Sequence, residues 1–498
     1  MNKRERVFLT GASGSMGFQT FKELWKQRDK YEIVLLIRPS KPNKKMFRAY
    51  EAAAGIAPIA GAGTVSGDGL KIVWGDTLNK DDVIEACQGI DSCLHVMALI
   101  SPEADRNPEM AYRVNYLGTL SIVEAIEAQD PEHIRMVYIG SVAEYGDRLP
   151  PFHMGRTGDP VVPSEFDFYS ISKISAELAV MQSRIKHRVS LRQTFIMIPD
   201  LFSLMDPIMF HQPINSFMEN ITARDAGRLM VSCLDQEKES PFWGGYYNIS
   251  GGPQCRTTNY ELLSSVFSLL GIRTTKVMNR NWFALKNFHM MFYEDAERLN
   301  SFLKHWEGGR TQEDFYADVV RNFPWYMKLL AFLCKNIPPF RWLVEKATWM
   351  KLKNLAHEPE GTLRWIKDRD QEKIKAFFGS EERWQAIPGW DRDMPSLDPK
   401  LPYKRLDHGY DEAKKKLAVE DLQAAASFRG GALKDSSWDG DMQTKVFWDC
   451  SLGHSFEMTP HAVLKGGHWC PECITPPWKT AEIVKKNKFV GQLFPDGL

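Results

Sequence analysis

Residues 7–17 read VFLTGASGSMG. A short apolar run passes directly into glycines at positions 11, 14 and 17, and an amphipathic pattern, SMGFQTFKELWKQ, follows without a break. Strand, tight turn and helix in that order let backbone amides approach a pyrophosphate, which then faces the helix N-terminus. Gly11, Ser13, Gly14, Ser15, Met16 and Gly17 are therefore the expected phosphate-loop residues of a dinucleotide site.

Working outward, the stretch from Arg6 to about Asp200 repeats this alternation. VFLTG, EIVLLIR, LKIVWGD, SCLHVMA, RMVYIGS and VSLRQTF read as strands. Between them SMGFQTFKELWKQ, KDDVIEACQG, NYLGTLSIVEAIEA and YSISKISAELAVMQSRI carry apolar residues at helical spacing. Alternating strands and helices predict an α/β fold, a Rossmann-type doubly wound parallel sheet. At 498 residues the chain exceeds one ordinary core. The expected division is a nucleotide-binding domain over 1–200, a smaller substrate lobe over 201–322, a mostly helical extension over 323–435 and a small metal-binding module over 436–498.

Composition excludes several classes. Hydrophobic residues make up 43% and charged residues 25%, and 63 basic side chains balance 63 acidic ones, so bulk nucleic-acid binding is not expected. The opening MNKRERVFLTGASG does not read as a secretory signal, and there is no apolar run of about 18 residues that would span a bilayer. A cytoplasmic protein is expected.

The end of the second strand bears on the dinucleotide. An acidic residue there would bond the ribose hydroxyls of NAD, but the chain has Arg38, then Ser40, Lys41, Lys44 and Lys45. A cationic cluster favours the extra phosphate of NADP, with Arg38 and Lys41 as its candidate ligands; a solvated basic loop is the plainer alternative. In WGDTL, Asp76 and Thr77 close the next strand where a carboxylate could accept from the adenine amino group, or simply cap a helix.

Three residues suit carbonyl chemistry. Ser141 ends RMVYIGS, and Tyr169 and Lys173 stand four apart in YSISK, on one face of a helix. A tyrosine could protonate a developing oxyanion, an ammonium nearby would lower its pKa, and a serine hydroxyl would add a second hydrogen bond.

With these residues in view, TGASGSMG, DSCLHVMA, NYLGT, GSVAEYG, YSISK, TARDAG and YYNISGG together resemble the extended short-chain dehydrogenase/reductase family, of the NAD-dependent epimerase/dehydratase type, over about the first 320 residues. The resemblance implies Tyr169 as catalytic acid/base, Lys173 as a ligand of the nicotinamide ribose as well, and Asn115 as a support of the proton relay or the sheet geometry. It also implies a homodimer formed through helices of the nucleotide domain. Sugar dehydratases carry an acidic pair directly after the strand serine or threonine; here Val142 and Ala143 stand there. Phe195 to Met218 holds four Met and four Phe, suited to an apolar ligand or to plain core packing. The expected activity is an NADPH-dependent oxidoreductase, a carbonyl reductase or alcohol dehydrogenase for a hydrophobic ketone or alcohol such as a steroid or aromatic compound. The alternatives are a nucleotide-sugar epimerase or reductase and, in another class, an NADP-binding scaffold.

Two later segments stand apart. WYMKLLAFLCKNIPPFRWLVEKATWMKLKNL mixes aromatic, aliphatic and basic residues as membrane-surface helices do. A helical pair packed on the catalytic domain, its lysines solvated, is the favoured reading over peripheral membrane contact. Near the end, WDCSLGHSFEMTPHAVLKGGHWCPECI offers Cys450, His454, Cys470 and Cys473, a ligand set for structural Zn²⁺ that resembles a zinc ribbon, with His461 and His468 as substitutes for His454.

Overall fold

The computed structural model describes residues 3–200, 205–391 and 401–494. The central sheet comprises β1 (Glu5–Thr10), β2 (Tyr31–Ile37), β3 (Gly63–Gly67), β4 (Leu70–Trp74), β5 (Ser92–His95), β6 (Arg135–Ser141), β7 (His187–Gln193) and β8 (Tyr246–Ile249). Its spatial order is β8-β7-β6-β5-β1-β2-β4-β3, parallel throughout except for β3 against β4. The six strands read from the sequence are all present. Edge strand β3, GTVSG, was not anticipated, because five residues bounded by glycines and mostly exposed carry no alternating apolar pattern.

Both faces of the sheet are buried, as a parallel sheet requires. Leu9, Leu35, Ile72 and Val137 enter one apolar cluster, while their neighbours Phe8, Val34, Val73 and Met136 enter the other. Helices α1 (Ser15–Lys26), α2 (Lys41–Ala53), α3 (Lys80–Cys87), α4 (Gly118–Glu127), α5 (Phe168–Met181) and α6 (Ala223–Ser232) accompany it. The 201–322 range does not lie wholly in a separate lobe: β8 completes the nucleotide sheet, and Gly227 of α6 lets that helix touch α1 at Gln19. Sequence order hides this return, since β8 pairs with β7 across more than fifty intervening residues.

Beyond α7 (Gln312–Arg321), α8 (Trp325–Asn336) and α9 (Pro338–Ala356) form a helical pair, followed by shorter helices. α10 (Val419–Phe428) packs with β9 (Ala432–Leu433), β10 (Val446–Asp449) and β11 (Ser455–Met458) around Trp448, Phe456 and Leu464. The carboxyl-terminal module thus gathers an apolar core by recruiting a helix from before residue 436. Among the described residues, no helix is long and apolar enough to cross a membrane.

Candidate active site and metal centre

Strand order reverses at β1, whose neighbours are β2 on one side and β5 on the other. Crevices at the carboxyl ends of such strands bind ligands. Gly11 lies there at φ +69°, and a Cβ on it would stand 2.8 Å from Met97 in the loop after β5. A Cβ on Gly17 would fall 2.1 Å from the Gly11 carbonyl oxygen, so α1 can begin this close to the turn only with glycine. Ser13, Gly14, Ser15 and Met16 complete the bend, and α1 starts at Ser15.

Arg38 follows β2 directly and is exposed; its carbonyl accepts from the Ser40 amide (2.8 Å) and from Asn43 Nδ2 (2.9 Å), which leaves its guanidinium out of that turn. Ser40 caps α2 by accepting from the Asn43 amide, which places exposed Lys41 on the first turn. Lys44 turns elsewhere: its ammonium donates to the carbonyls of Ile59 (2.8 Å) and Gly61 (3.0 Å) and covers the Trp74 ring. The cationic patch is therefore smaller than the sequence suggests. Asp76 accepts from the Leu78 amide at 3.0 Å, closing a local turn, and the buried Thr77 hydroxyl meets Met97 Sδ.

Ser141 ends β6 and Tyr169 lies in the first turn of α5, where the nearby Ser141 hydroxyl favours ionisation of the phenol. The Ser141 oxygen accepts from the Ala143 amide at 3.1 Å. Asn115 sits in a π-helical turn, Tyr112–Leu117, a feature frequent at functional sites. Its side chain donates to Leu99 O (2.9 Å) and Ser172 Oγ (2.8 Å) and accepts from Leu99 N (2.6 Å). It thereby ties the loop after β5 to α5 beside Lys173.

Lys173 shares a helix face with Tyr169 but does not act on the phenol as the spacing suggests. Its ammonium donates to Ile139 O at 2.6 Å and lies 4.2 Å from the Tyr138 ring. A buried ammonium takes the nearest acceptor, here a strand carbonyl. Burial lowers its pKa to about 8, against the pull of the Glu144 and Glu177 carboxyls. Burial likewise pushes the Tyr169 phenol above its ordinary value, against the influence of the Ser141 hydroxyl, so it is held in its proton-bearing form.

Spacing rules missed the charged network beneath these residues. Glu177 stands one turn beyond Lys173 on α5, and Arg192 on β7 lies between Glu177 (2.6 Å) and Glu144 (3.2 Å), all three fully buried. Burial and the neighbouring Glu177 push the Glu144 carboxyl well above the carboxylate range. Burial opposes ionisation of Glu177 too, yet Arg192 and the hydrogen bond with His468 hold its pKa below the usual range. Asp105 was missed as well. It accepts from the Phe168 and Tyr169 amides, and burial with the nearby Asp167 raises it to about 7. Only the extension of the Tyr169–Lys173 spacing by four to Glu177 was visible beforehand.

In the carboxyl-terminal module, Cys450, His454, Cys470 and Cys473 bring their donor atoms within 4.8 Å of one another. The three sulfurs each lie 3.4 Å from His454 Nδ1, and Cys450 and Cys473 are 3.6 Å apart. Tetrahedral Zn²⁺ with bonds of about 2.3 Å to sulfur and 2.0 Å to nitrogen needs edges near these lengths, so the donor set fits. His468 is committed elsewhere, to Glu177 at 2.6 Å, and His461 stacks on Tyr246. The module also docks through Arg192 to Gly466 O (2.7 Å) and Gln182 to the Thr459 amide (3.0 Å).

The sequence profile of the NAD dependent epimerase/dehydratase family matches residues 7–236. Those residues belong to that family. The epimerase/dehydratase domain of this chain is 25% identical over 150 residues to D-erythronate dehydrogenase of Haemophilus influenzae, covering 29% of this chain and 40% of that one. It is 27% identical over 112 residues to human sterol-4-alpha-carboxylate 3-dehydrogenase, decarboxylating, covering 22% and 29%. The chain thus spans well under half the length of these curated relatives. Among solved structures, dTDP-glucose 4,6-dehydratase of Bacillus anthracis in complex with NAD matches with a TM-score of 0.49 and 18% identity, over 65% of this chain and 97% of that one.

Proposed function

We propose that the chain is an NADPH-dependent oxidoreductase acting on a hydrophobic ketone or alcohol. The observation that carries this reading is the convergence of Ser141 at the end of β6 with Tyr169 and buried Lys173 on α5, at the carboxyl-end side of the sheet where the glycine turn lies. When bound, the dinucleotide supplies hydride to the substrate carbon or accepts it. Tyr169 Oη gives its proton to the carbonyl oxygen in reduction and takes one in oxidation, and Ser141 Oγ holds that oxygen by a second hydrogen bond. Lys173, with its pKa near 8, is cationic at neutral pH, and from its place on the Ile139 carbonyl it would turn to the nicotinamide ribose when the dinucleotide binds. Asn115 fixes α5 against the loop after β5. Arg38 and Lys41 would receive the 2′-phosphate, a reading supported by the lack of a carboxylate at the end of β2 to bond ribose hydroxyls.

Support for an apolar substrate shifts from its original ground. Within Phe195–Met218, Met197, Phe210, Phe217 and Met218 are wholly buried packing residues, and Phe202 lies outside the described residues. Instead, a cavity of about 700 Å³ opens among Met205, Phe267, Leu270, Phe315, Val319 and Phe323. Phe195 packs against the cluster that contains Phe315 and Val319 and against the one that contains Val142 and Tyr145, which follow Ser141. A relative named for a sterol carboxylate agrees with such a substrate. The Cys₃His site would hold structural zinc, cross-linking the turn after β10 to the CPEC knuckle without entering the hydride chemistry.

The test is NADPH oxidation against ketosteroids, aromatic ketones and sugar nucleotides. Tyr169→Phe should lose turnover while still binding NADPH, and Arg38→Glu should weaken NADPH binding by about 10- to 100-fold, the worth of a charge-assisted contact. Turnover retained in Tyr169→Phe would overturn the assignment, and unchanged NADPH affinity in Arg38→Glu would overturn the cofactor choice.

A further inference from the structure

Helices α8 and α9 are apolar on two sides. The inner side of α8 presents Met327, Ala331 and Cys334 to the protein, and α9 contributes Val344, Leu352 and Ala356 to the same cluster. The outer side of α8 carries Trp325, Leu329 and Phe332 at helical spacing, 76%, 47% and 61% exposed. α9 continues that face with Trp342 at 59%, Leu343 at 57% and Met350 at 47%, and Ile337 joins the two helices at 43%. The expected packing on the catalytic domain therefore accounts for the inner side alone. Seven large apolar side chains exposed on two adjoining helices mark an interaction surface.

Charge narrows its partner. Lys328, Lys335, Lys346 and Lys351 are exposed on the same pair, with Arg341 and Lys353 half-buried. The single carboxylate of the two helices, Glu345, is buried and bound by Arg273 at 2.7 Å. Every outward charge is thus positive and interleaved with Trp, Phe and Leu. Aromatic rings suit the headgroup boundary, and lysine stems extend along apolar surface to set their ammonium groups among anionic headgroups. The 700 Å³ cavity, whose wall mixes apolar side chains with Arg310, Asp318 and Lys351, opens at the foot of this pair beside Tyr326, Met327 and Leu330.

We propose that the α8–α9 pair is a docking surface for an anionic lipid bilayer, lying in the plane of the interface and not crossing it. The outer aromatic face enters the headgroup boundary, the lysines bind phosphate groups, and the cavity opens toward the lipid, from which an apolar molecule can enter. Docking is read without cofactor or substrate, so its outcome is independent of the chemistry proposed above.

The experiment is vesicle flotation of the full chain, with phosphatidylcholine and phosphatidylglycerol in equal parts compared with phosphatidylcholine alone. The protein should float with the anionic vesicles and be released by high salt. Lys328→Gln, Lys335→Gln and Lys346→Gln combined should lower partitioning by about 100-fold, at about 5-fold per charge. Trp325→Ser with Trp342→Ser should also release the protein, and both variants should melt as the parent does because the replaced side chains are exposed. Protein that stays in buffer with both vesicle types, or charge variants that float like the parent, would overturn the proposal. So would a sedimentation-velocity dimer that Trp342→Ser splits in a protein that ignores vesicles, which would make this face a contact between two copies.

Discussion

Replacing Arg192 by Met removes the guanidinium that pairs with both Glu144 and Glu177 while keeping most of the buried volume. In the parent, the guanidinium lies 2.6 Å from Glu177 Oε2, donates to Gly466 O and sits 4.8 Å from the Tyr145 ring, all without solvent contact. Burial and Glu177 raise the Glu144 carboxyl, so it leans less on the guanidinium, but Glu177 would be left as a buried carboxylate supported by Ser190, His468 and Lys173. Losing one partner of such a pair costs about 3–5 kcal/mol. At about 2–4 °C per kcal/mol for a domain of this size, the melting temperature should fall by about 6–20 °C. The double variant Glu177→Gln with Arg192→Met removes both charges and should recover most of that loss. Because the folded pKa of Glu177 lies below its unfolded value, its stabilising contribution is present above about pH 4 and declines as pH falls further. The gap between parent and Arg192→Met should therefore narrow in acid. Thermal melts followed by circular dichroism measure the fall in melting temperature, and urea titrations measure the recovery in the double variant and the narrowing in acid. A single variant within about 1 kcal/mol of the parent, or a double variant as unstable as the two losses added, would refute the reasoning.

Two further outcomes follow from the site. Lys173 titrates near 8 when folded against 10.5 in the open chain, so between those values the unfolded state holds the proton that the folded state has lost. Parent stability relative to Lys173→Met should then grow as pH rises from 8 to 10, by up to about 1.4 kcal/mol per unit, and a flat difference in urea titrations at those pH values would contradict the assignment. At the metal centre, purified protein should carry one zinc per chain, and Cys470→Ser should reduce it to background while Trp448 and Trp469 emission shifts to the red as their shared core loosens; elemental analysis and fluorescence check both.

The glycine turn, the strand run and the Cys₃His set were legible in the sequence because each depends on local rules. A tight turn at positive φ demands glycine at residue 11, a parallel strand buried on both faces must be continuously apolar, and thiolates in a CPEC turn converge on one ion. Ser141, Tyr169 and Lys173 were legible for the same reason, since a strand end and a four-residue helical spacing fix where side chains emerge. What lay outside sequence reach depends on partners distant along the chain. Glu177, Arg192 and His468 meet across three elements separated by as many as 291 residues, and no period connects them. The destination of the Lys173 ammonium, the diversion of Lys44 from the cationic patch and the second apolar side of α8 and α9 were likewise decided by tertiary contacts. Periodicity shows that a helix face is apolar; only packing determines whether anything covers it.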